Sequence, residues 1–246
     1  TRHTRRLLDY FGIDTPMTSL HDHNEKQKSQ SLLARVRDEN LSMALVSDAG
    51  TPLISDPGYV LVAQARAEGF KVVPVPGACA LIAALSVSGI ASNQFAFDGF
   101  LPHKKNARML VLEALAKEAR TVIYYESTHR IVAAVADLAE LYPARRLCLA
   151  RELTKRFEQI ITDNALAVYE WLMADDVRQK GEFVLIVEGV ADKKGDERAA
   201  VDPEVEKLLF RLLEELPPKQ SAAIASDVTG VAKKELYNLA VAHKSK

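Results

Sequence analysis

Six short apolar runs, separated by stretches with helical spacing, constrain the fold of this chain more than any other feature. "MALVS" (43–47), "FKVVPVPG" (70–77), "QFAFDGFLP" (94–102), "RTVIYYES" (120–127), "RRLCLARE" (145–152) and "GEFVLIVEGV" (181–190) are short, apolar and bounded by turn formers, so each reads as a strand. Helical periodicity fills the intervals: 5–12, the segment around Leu32, Leu33 and Val36, then 59–68, 78–90, 103–118, 128–142 and 163–174. Strand–helix alternation predicts an α/β fold of parallel strands with helical crossovers. The spacing predicts one lobe over 1–93, a second over 94–190, a linker over 191–202 and a helical appendix over 203–246.

The stretch "ALVSDAGTPLISDPGYVLV" (44–62) places two Asp-containing turns in tandem where one would reverse the chain. In open α/β sheets, ligands bind outside the carboxyl ends of strands, and "SDAGTP" lies at such an end. Ala49, Gly50 and Thr51 carry little side-chain bulk, so a ligand can approach the main chain there. "VPGACA" (75–80) repeats the arrangement after the next strand, and the pair makes a floor for a nucleotide-like ligand. The simpler alternative is that both loops only turn the chain. Neither a GxGxxG nor a GxxxxGK[ST] sequence is present, so the dinucleotide-redox and phosphate-loop classes find no support.

Net charge is −1, so attraction to a polyanion has to come from a local patch. Cys79 and Cys148 lie in apolar runs and read as buried thiols of a reducing cytoplasm. No apolar run reaches the ~18 residues of a membrane span. The chain opens "TRHTRRLL", on what reads as a helix start, so an upstream piece is expected.

Five motifs in order, "LVSDAGTPLISDPGYVLV", "VVPVPGACALIAALSVSG", "FAFDGFLPHKKNAR", "YYESTHRI" and "LARELTKRFE", resemble the tetrapyrrole methylase superfamily. Within it they resemble the ribosomal RNA small-subunit methyltransferases that modify a cytidine ribose. The resemblance implies S-adenosylmethionine as methyl donor, two α/β domains with the donor between them, a homodimer, and 2′-O-methylation in the decoding region of 16S rRNA. Carried over by motif, Ala49, Gly50, Thr51 and Ile54 occupy the first donor-binding loop and Ala78, Cys79 and Ala80 the second. Leu149 and Gly181 lie in segments that contribute to the same cleft. The family's upstream strand and Gly-containing loop are not in this sequence, and Thr128 stands where the family often has Pro.

Attack of a ribose hydroxyl on a sulfonium methyl needs in-line placement and an acceptor for the proton. Glu152 with Lys155 is the first candidate pair and Glu126 the second; a lysine base would need its pKa lowered. A salt bridge to a neighbouring Arg is the competing role for each glutamate. Three cationic clusters follow strands of the second lobe: Lys104, Lys105 and Arg108; His129 and Arg130; Arg151 and Arg156 beside Lys155. Together they predict a phosphate-binding rim, with Arg2 and Arg5 as secondary RNA candidates. His21 and His23 lack a third ligand nearby, so no metal is expected. In the appendix, Ala225, Gly230 and Leu236 approximate helix-turn-helix spacing, and Lys233 and Lys234 open the second helix; a plain helical hairpin is the alternative. A tetrapyrrole C-methyltransferase and a non-catalytic RNA-binding or ribosome-assembly module are the competing functions.

Overall fold

The computed structural model describes residues 2–21, 24–190 and 203–244. They fall into two compact units, Thr1–Gly189 and Val190–Lys246. The expected linker, 191–202, lies outside the described residues.

The first unit opens with helices α1 (Arg2–Tyr10), α2 (Glu25–Asp38), α3 (Tyr59–Ala67) and α4 (Ala80–Val87). Buried Glu25 fixes α2 against α3: its carboxylate accepts hydrogen bonds from the Val60 and Leu61 amides at 2.8 and 3.3 Å. Those amides belong to the first turn of α3, where no helical carbonyl is available to them. Leu33, Leu61 and Ala65 form the small core between the two helices.

The rest of the unit is a five-stranded sheet. Its strands are β1 (Phe95–Phe100), β2 (Thr121–Ser127), β3 (Arg146–Arg151), β4 (Gln159–Asn164) and β5 (Glu182–Val187), in spatial order β1-β2-β5-β3-β4. Helices α5 (Lys105–Ala114), α6 (Ile131–Leu141) and α7 (Ala165–Met173) connect them. Strand alternation divides the side chains between two faces. Val122, Tyr124, Leu147, Leu149, Phe183 and Leu185 pack with α5, α6 and α7. Ile123, Cys148, Ala150, Val184 and Ile186 pack on the other face against Leu81, Ala84 and Leu85 of α4.

Three expectations need correction. The segments 43–47 and 70–77 are not strands. A strand requires a ladder partner, and these two make no ladder with each other: Val46, Val73 and Val75 stay exposed, Val75 by 86%. The sheet is mixed rather than parallel, because β5 inserts antiparallel between β2 and β3, and β4 pairs antiparallel with β3 through the short 152–158 connection. Strand β4 was not anticipated at all. Its sequence, "QIITDN", is short and mostly polar, as an edge strand tends to be.

The second unit comprises α8 (Pro203–Leu213), α9 (Pro218–Thr229) and α10 (Lys233–Lys244) around Leu209, Leu213, Ala222, Ala225, Leu236 and Ala240. Gly230, left-handed at φ 73°, ends α9. Ala225 and Leu236 are buried on either side of this turn, while Lys233 and Lys234 are exposed.

One buried ion pair ties α5 to α6. Arg108 Nε lies 2.7 Å from Asp137 Oδ2, with both side chains almost fully buried. Removing one member leaves the other charged and desolvated, so Asp137→Ala is expected to cost about 3–5 kcal/mol in urea denaturation, and Arg108→Met/Asp137→Leu to recover most of it.

Candidate active site

The double turn is closed by its own side chains. Ser47 Oγ lies 2.6 Å from Asp56 Oδ2 and 2.7 Å from the Ala49 carbonyl, and it accepts from the Ala49 amide at 3.2 Å. The second loop is clasped to the first, because Thr51 Oγ1 donates to the Ala78 carbonyl at 3.0 Å. Ile54 and Cys79 pack on the sheet face that carries Ile123, Cys148 and Ala150, beside Tyr125 and Leu153. The Leu81 amide donates to the Tyr125 hydroxyl at 3.2 Å, fixing the start of α4 over β2. Burial pushes the Tyr125 phenol up, and Cys79 and Asp56 add to the effect. Seven of the nine expected donor residues (Ala49, Gly50, Thr51, Ile54, Ala78, Cys79 and Ala80) therefore belong to two clasped loops on one face.

Leu149 does not join them. It is fully buried on the opposite face, in the core with α6 and α7. Strand alternation sends its neighbours Cys148 and Ala150 to the loop side instead.

Gly181 takes part in a second junction. At φ 120° it adopts a backbone conformation that suits glycine, and an added Cβ would lie 2.6–2.8 Å from the Glu152 side chain. Glu152 Oε1 accepts from the Glu182 amide at 3.0 Å and from Lys155 Nζ at 2.8 Å. Lys155 also bonds Glu182 Oε2 at 3.0 Å. Thr128 completes the junction from β2: its hydroxyl lies 2.8 Å from the Gly181 amide and 3.0 Å from the Gly181 carbonyl. Two hydrogen bonds thus hold the turn where a proline would have stiffened it. Glu152 and Thr154 both have positive φ, 50° and 65°, a strained conformation that surrounding contacts must hold in place.

These contacts separate the candidate bases. The hydrogen bond from Lys155, then that from the Glu182 amide, holds the Glu152 carboxyl below its ordinary range. Glu152 and Glu182 raise the Lys155 ammonium, the reverse of what a lysine base requires. Glu126 is buried; burial pushes its carboxyl up against the pull of Arg130, whose Nε lies 3.1 Å from Oε2. Glu126 is thus one half of a structural ion pair, and Lys155 is a cation rather than a base.

The expected RNA residues also divide. Arg108 is spent on Asp137 and on the Pro102 and His103 carbonyls. Arg151 is buried and donates to the Lys180 and Phe157 carbonyls and to Gln159 Oε1. Arg130 is held by Glu126 and the Leu101 carbonyl. All three are committed to protein acceptors. Lys104, Lys105, His129 and Arg156 are exposed, Lys105 lying near Asp137 and Glu140. β1, β2 and β3 run parallel in sense, so Lys104, His129 and Arg156 follow strand ends at a common sheet edge.

Arg2 is exposed, and Arg5 pairs with Asp14 at 3.7 Å. His21 Nε2 meets the Asn24 side-chain amide at 2.8 Å, and His23 lies outside the described residues. Ser47, Asp56, Tyr125, Leu153 and Glu182 were not singled out from the sequence. Only the two Asp-containing turns hinted at the first pair.

A tetrapyrrole (corrin/porphyrin) methylase profile matches residues 1–168, and an RsmI C-terminal HTH domain profile matches 199–244. The chain is 48% identical over 244 residues to ribosomal RNA small subunit methyltransferase I of Pasteurella multocida, covering 99% of this chain and 85% of that protein. It is 47% identical over 242 residues to the protein of that name from Escherichia coli O157:H7, covering 98% and 83%. Among solved structures, diphthine synthase superimposes with a TM-score of 0.56 at 12% identity, over 75% of this chain and 73% of that one. The methyltransferase CobJ does so at 0.50 and 19% identity, over 68% and 72%. Those two likenesses concern the fold. The match across two-thirds of its length and the near full-length similarity to these relatives place the chain in the tetrapyrrole methylase family, among the ribosomal RNA small subunit methyltransferase I proteins.

Proposed function

We propose that this chain is an S-adenosylmethionine-dependent methyltransferase of small-subunit ribosomal RNA, methylating the 2′-hydroxyl of a cytidine in the decoding region. The clasp of the two small-residue loops at 3.0 Å, beside Tyr125 of β2, carries this reading. The relatives' names supply the RNA class. A homodimer in the cytoplasm belongs to the same reading.

The residues present fit the donor. From Asp38 to Ala65 and from Val72 to His103 the sequence contains no Lys or Arg, while Asp48 and Asp56 flank the first turn. These two segments thus offer a sulfonium cation carboxylates and carbonyls and bring no Lys or Arg of their own. Ala49, Gly50, Thr51, Ala78 and Ala80 would hold it by main chain, and Ile54 and Cys79 would cover its apolar part. When bound, S-adenosylmethionine supplies an electrophilic methyl group.

The acceptor side is the work of the chain. Glu152 is ionised and accepts from Lys155 and from the Glu182 amide on Oε1, so Oε2 serves to orient a ribose hydroxyl and take its proton. Lys155 keeps that carboxylate anionic and in place. The exposed Lys104, His129 and Arg156 would hold phosphates, while Arg130 and Arg151 keep the rim in shape. In the helical unit, Lys233 and Lys234 are further RNA candidates.

Incubating the full chain with labelled donor and either free 16S RNA or assembled small subunits, then digesting to nucleosides, is expected to yield 2′-O-methylcytidine. A methylated base, or transfer to a tetrapyrrole instead, would overturn the reading. Glu152→Gln is expected to lower kcat about ten-fold or more, the size of one charge-assisted hydrogen bond, with the calorimetric donor Kd within about two-fold. As the Glu152 carboxyl is depressed, its anion survives a fall in pH through the usual glutamate range, and the rate it supports is lost only below that range. RNA affinity is expected to fall steeply with salt, and Lys104→Ala and Arg156→Ala each to flatten the log–log slope by about 0.7. A flat response in the wild type would remove the rim.

A further inference from the structure

Two phenylalanines at the sheet edge are exposed although apolar: Phe100 by 48% and Phe157 by 61%. Each carries an arginine over one ring face, Arg130 at 5.4 Å and Arg156 at 5.5 Å from the ring centre. Neither ring belongs to either core on the sheet faces.

The position of Phe100 is built. Strict alternation would put Phe97 and Phe100 on opposite faces of β1. The register shifts between them, with Phe97 opposite Ile123 and Phe100 opposite Tyr125, so both phenylalanines share the Tyr125 face. Gly99, at φ 66°, makes this bulge possible. Such bulges re-aim a side chain beside functional sites. Both rings meet Tyr125 edge-on, at 4.8 Å for Phe97 and 6.1 Å for Phe100. Tyr125 in turn receives the Leu81 amide of the second donor loop. Phe100 therefore adjoins the donor loops, held one aromatic ring away.

Phe157 is positioned from the other side. Its carbonyl accepts from Arg151 at 3.3 Å, and the Glu152–Gly181 junction holds the turn that precedes it. β1 and β3 stand three strand spacings apart, about 14 Å, within reach of a short unpaired segment of RNA. Proteins that take single-stranded RNA combine exposed aromatic rings, which stack on bases, with cations that follow the phosphates. Lys104, His129 and Arg156 supply those cations at the same edge.

We propose that Phe100 and Phe157 are stacking platforms for unpaired bases of the RNA substrate, Phe100 for the nucleotide nearest the methyl donor and Phe157 for one flanking it. The proposal rests on the RNA-methylation reading and adds the mode of recognition to it. The RNA is held splayed and single-stranded at this edge, with Arg130 backing the Phe100 ring from behind.

The test uses the full chain. Phe100→Ala and Phe157→Ala are each expected to raise KM for RNA about five- to a hundred-fold, leaving donor Kd and far-UV circular dichroism unchanged. Tyr or Trp at either position is expected to retain most of the affinity. In Phe157→Trp, an unpaired oligoribonucleotide is expected to quench the added indole, and a duplex of the same sequence not to. Wild-type KM in both alanine variants would overturn the proposal. So would their conversion of a dimer to monomers in sedimentation, because the rings would then face a second copy. The quenching readout needs no methyl transfer, so a chain that binds unpaired RNA without methylating it would sink the functional reading alone.

Discussion

The carboxylate of Glu152, laid across Gly181 where no Cβ can fit, is the contact on which the candidate site depends. It joins the end of β3 to the start of β5, and Thr128 extends the junction to the end of β2. Three strand ends are locked by these few bonds, and the 152–158 turn leaves them in a fixed direction. The left-handed backbone at Glu152 and Thr154 costs free energy, which the two bonds to Oε1 offset. Lys155 is integral to that arrangement. Its ion pairs with Glu152 and Glu182 favour the charged ammonium, the reverse of what a lysine base requires.

Strand alternation then decides what each side chain can do. Tyr124 and Tyr125 are neighbours, yet the first is sealed in the helix-side core and the second supports the donor loops. Cys148, Leu149 and Ala150 divide the same way, which puts Leu149 on the face opposite the two clasped loops. β1 departs from the rule once, at Gly99, and the departure brings Phe100 to the side of Tyr125. A one-residue bulge thereby converts an edge strand into part of the proposed RNA surface.

The strands of the sheet were legible where local pattern sufficed. The apolar runs at 120–127 and 181–190 mark β2 and β5 closely, because a buried strand needs a continuous apolar sequence. Direction was not legible: nothing within "GEFVLIVEGV" says that it runs antiparallel between two parallel neighbours. At 43–47 and 70–77 the runs look equally strand-like, and what they lack is a ladder partner, which no local sequence records. β4 was hidden for the opposite reason, since four of its six residues are polar. The two clasped loops were legible as shaped turns because small residues and turn formers are themselves the signal. Arg108 and Arg151 were not, since whether an arginine meets phosphate or protein depends on acceptors as far off as Asp137 and Lys180.

Charge placement separates the two proposed ligands without any overall field. A net charge of −1 gives RNA no long-range attraction to the molecule as a whole, so affinity has to come from local patches such as the sheet edge. Three of the seven expected cations are committed to protein acceptors there, which reduces the share of binding that phosphate contacts can supply. Stacking on exposed rings supplies binding that salt does not screen, and it demands an unpaired base. That demand is itself selective. A ribose in a continuous duplex cannot present its base to Phe100 while its hydroxyl reaches Glu152, so the same two side chains that complete the binding energy would also restrict the substrate to an open region of the RNA.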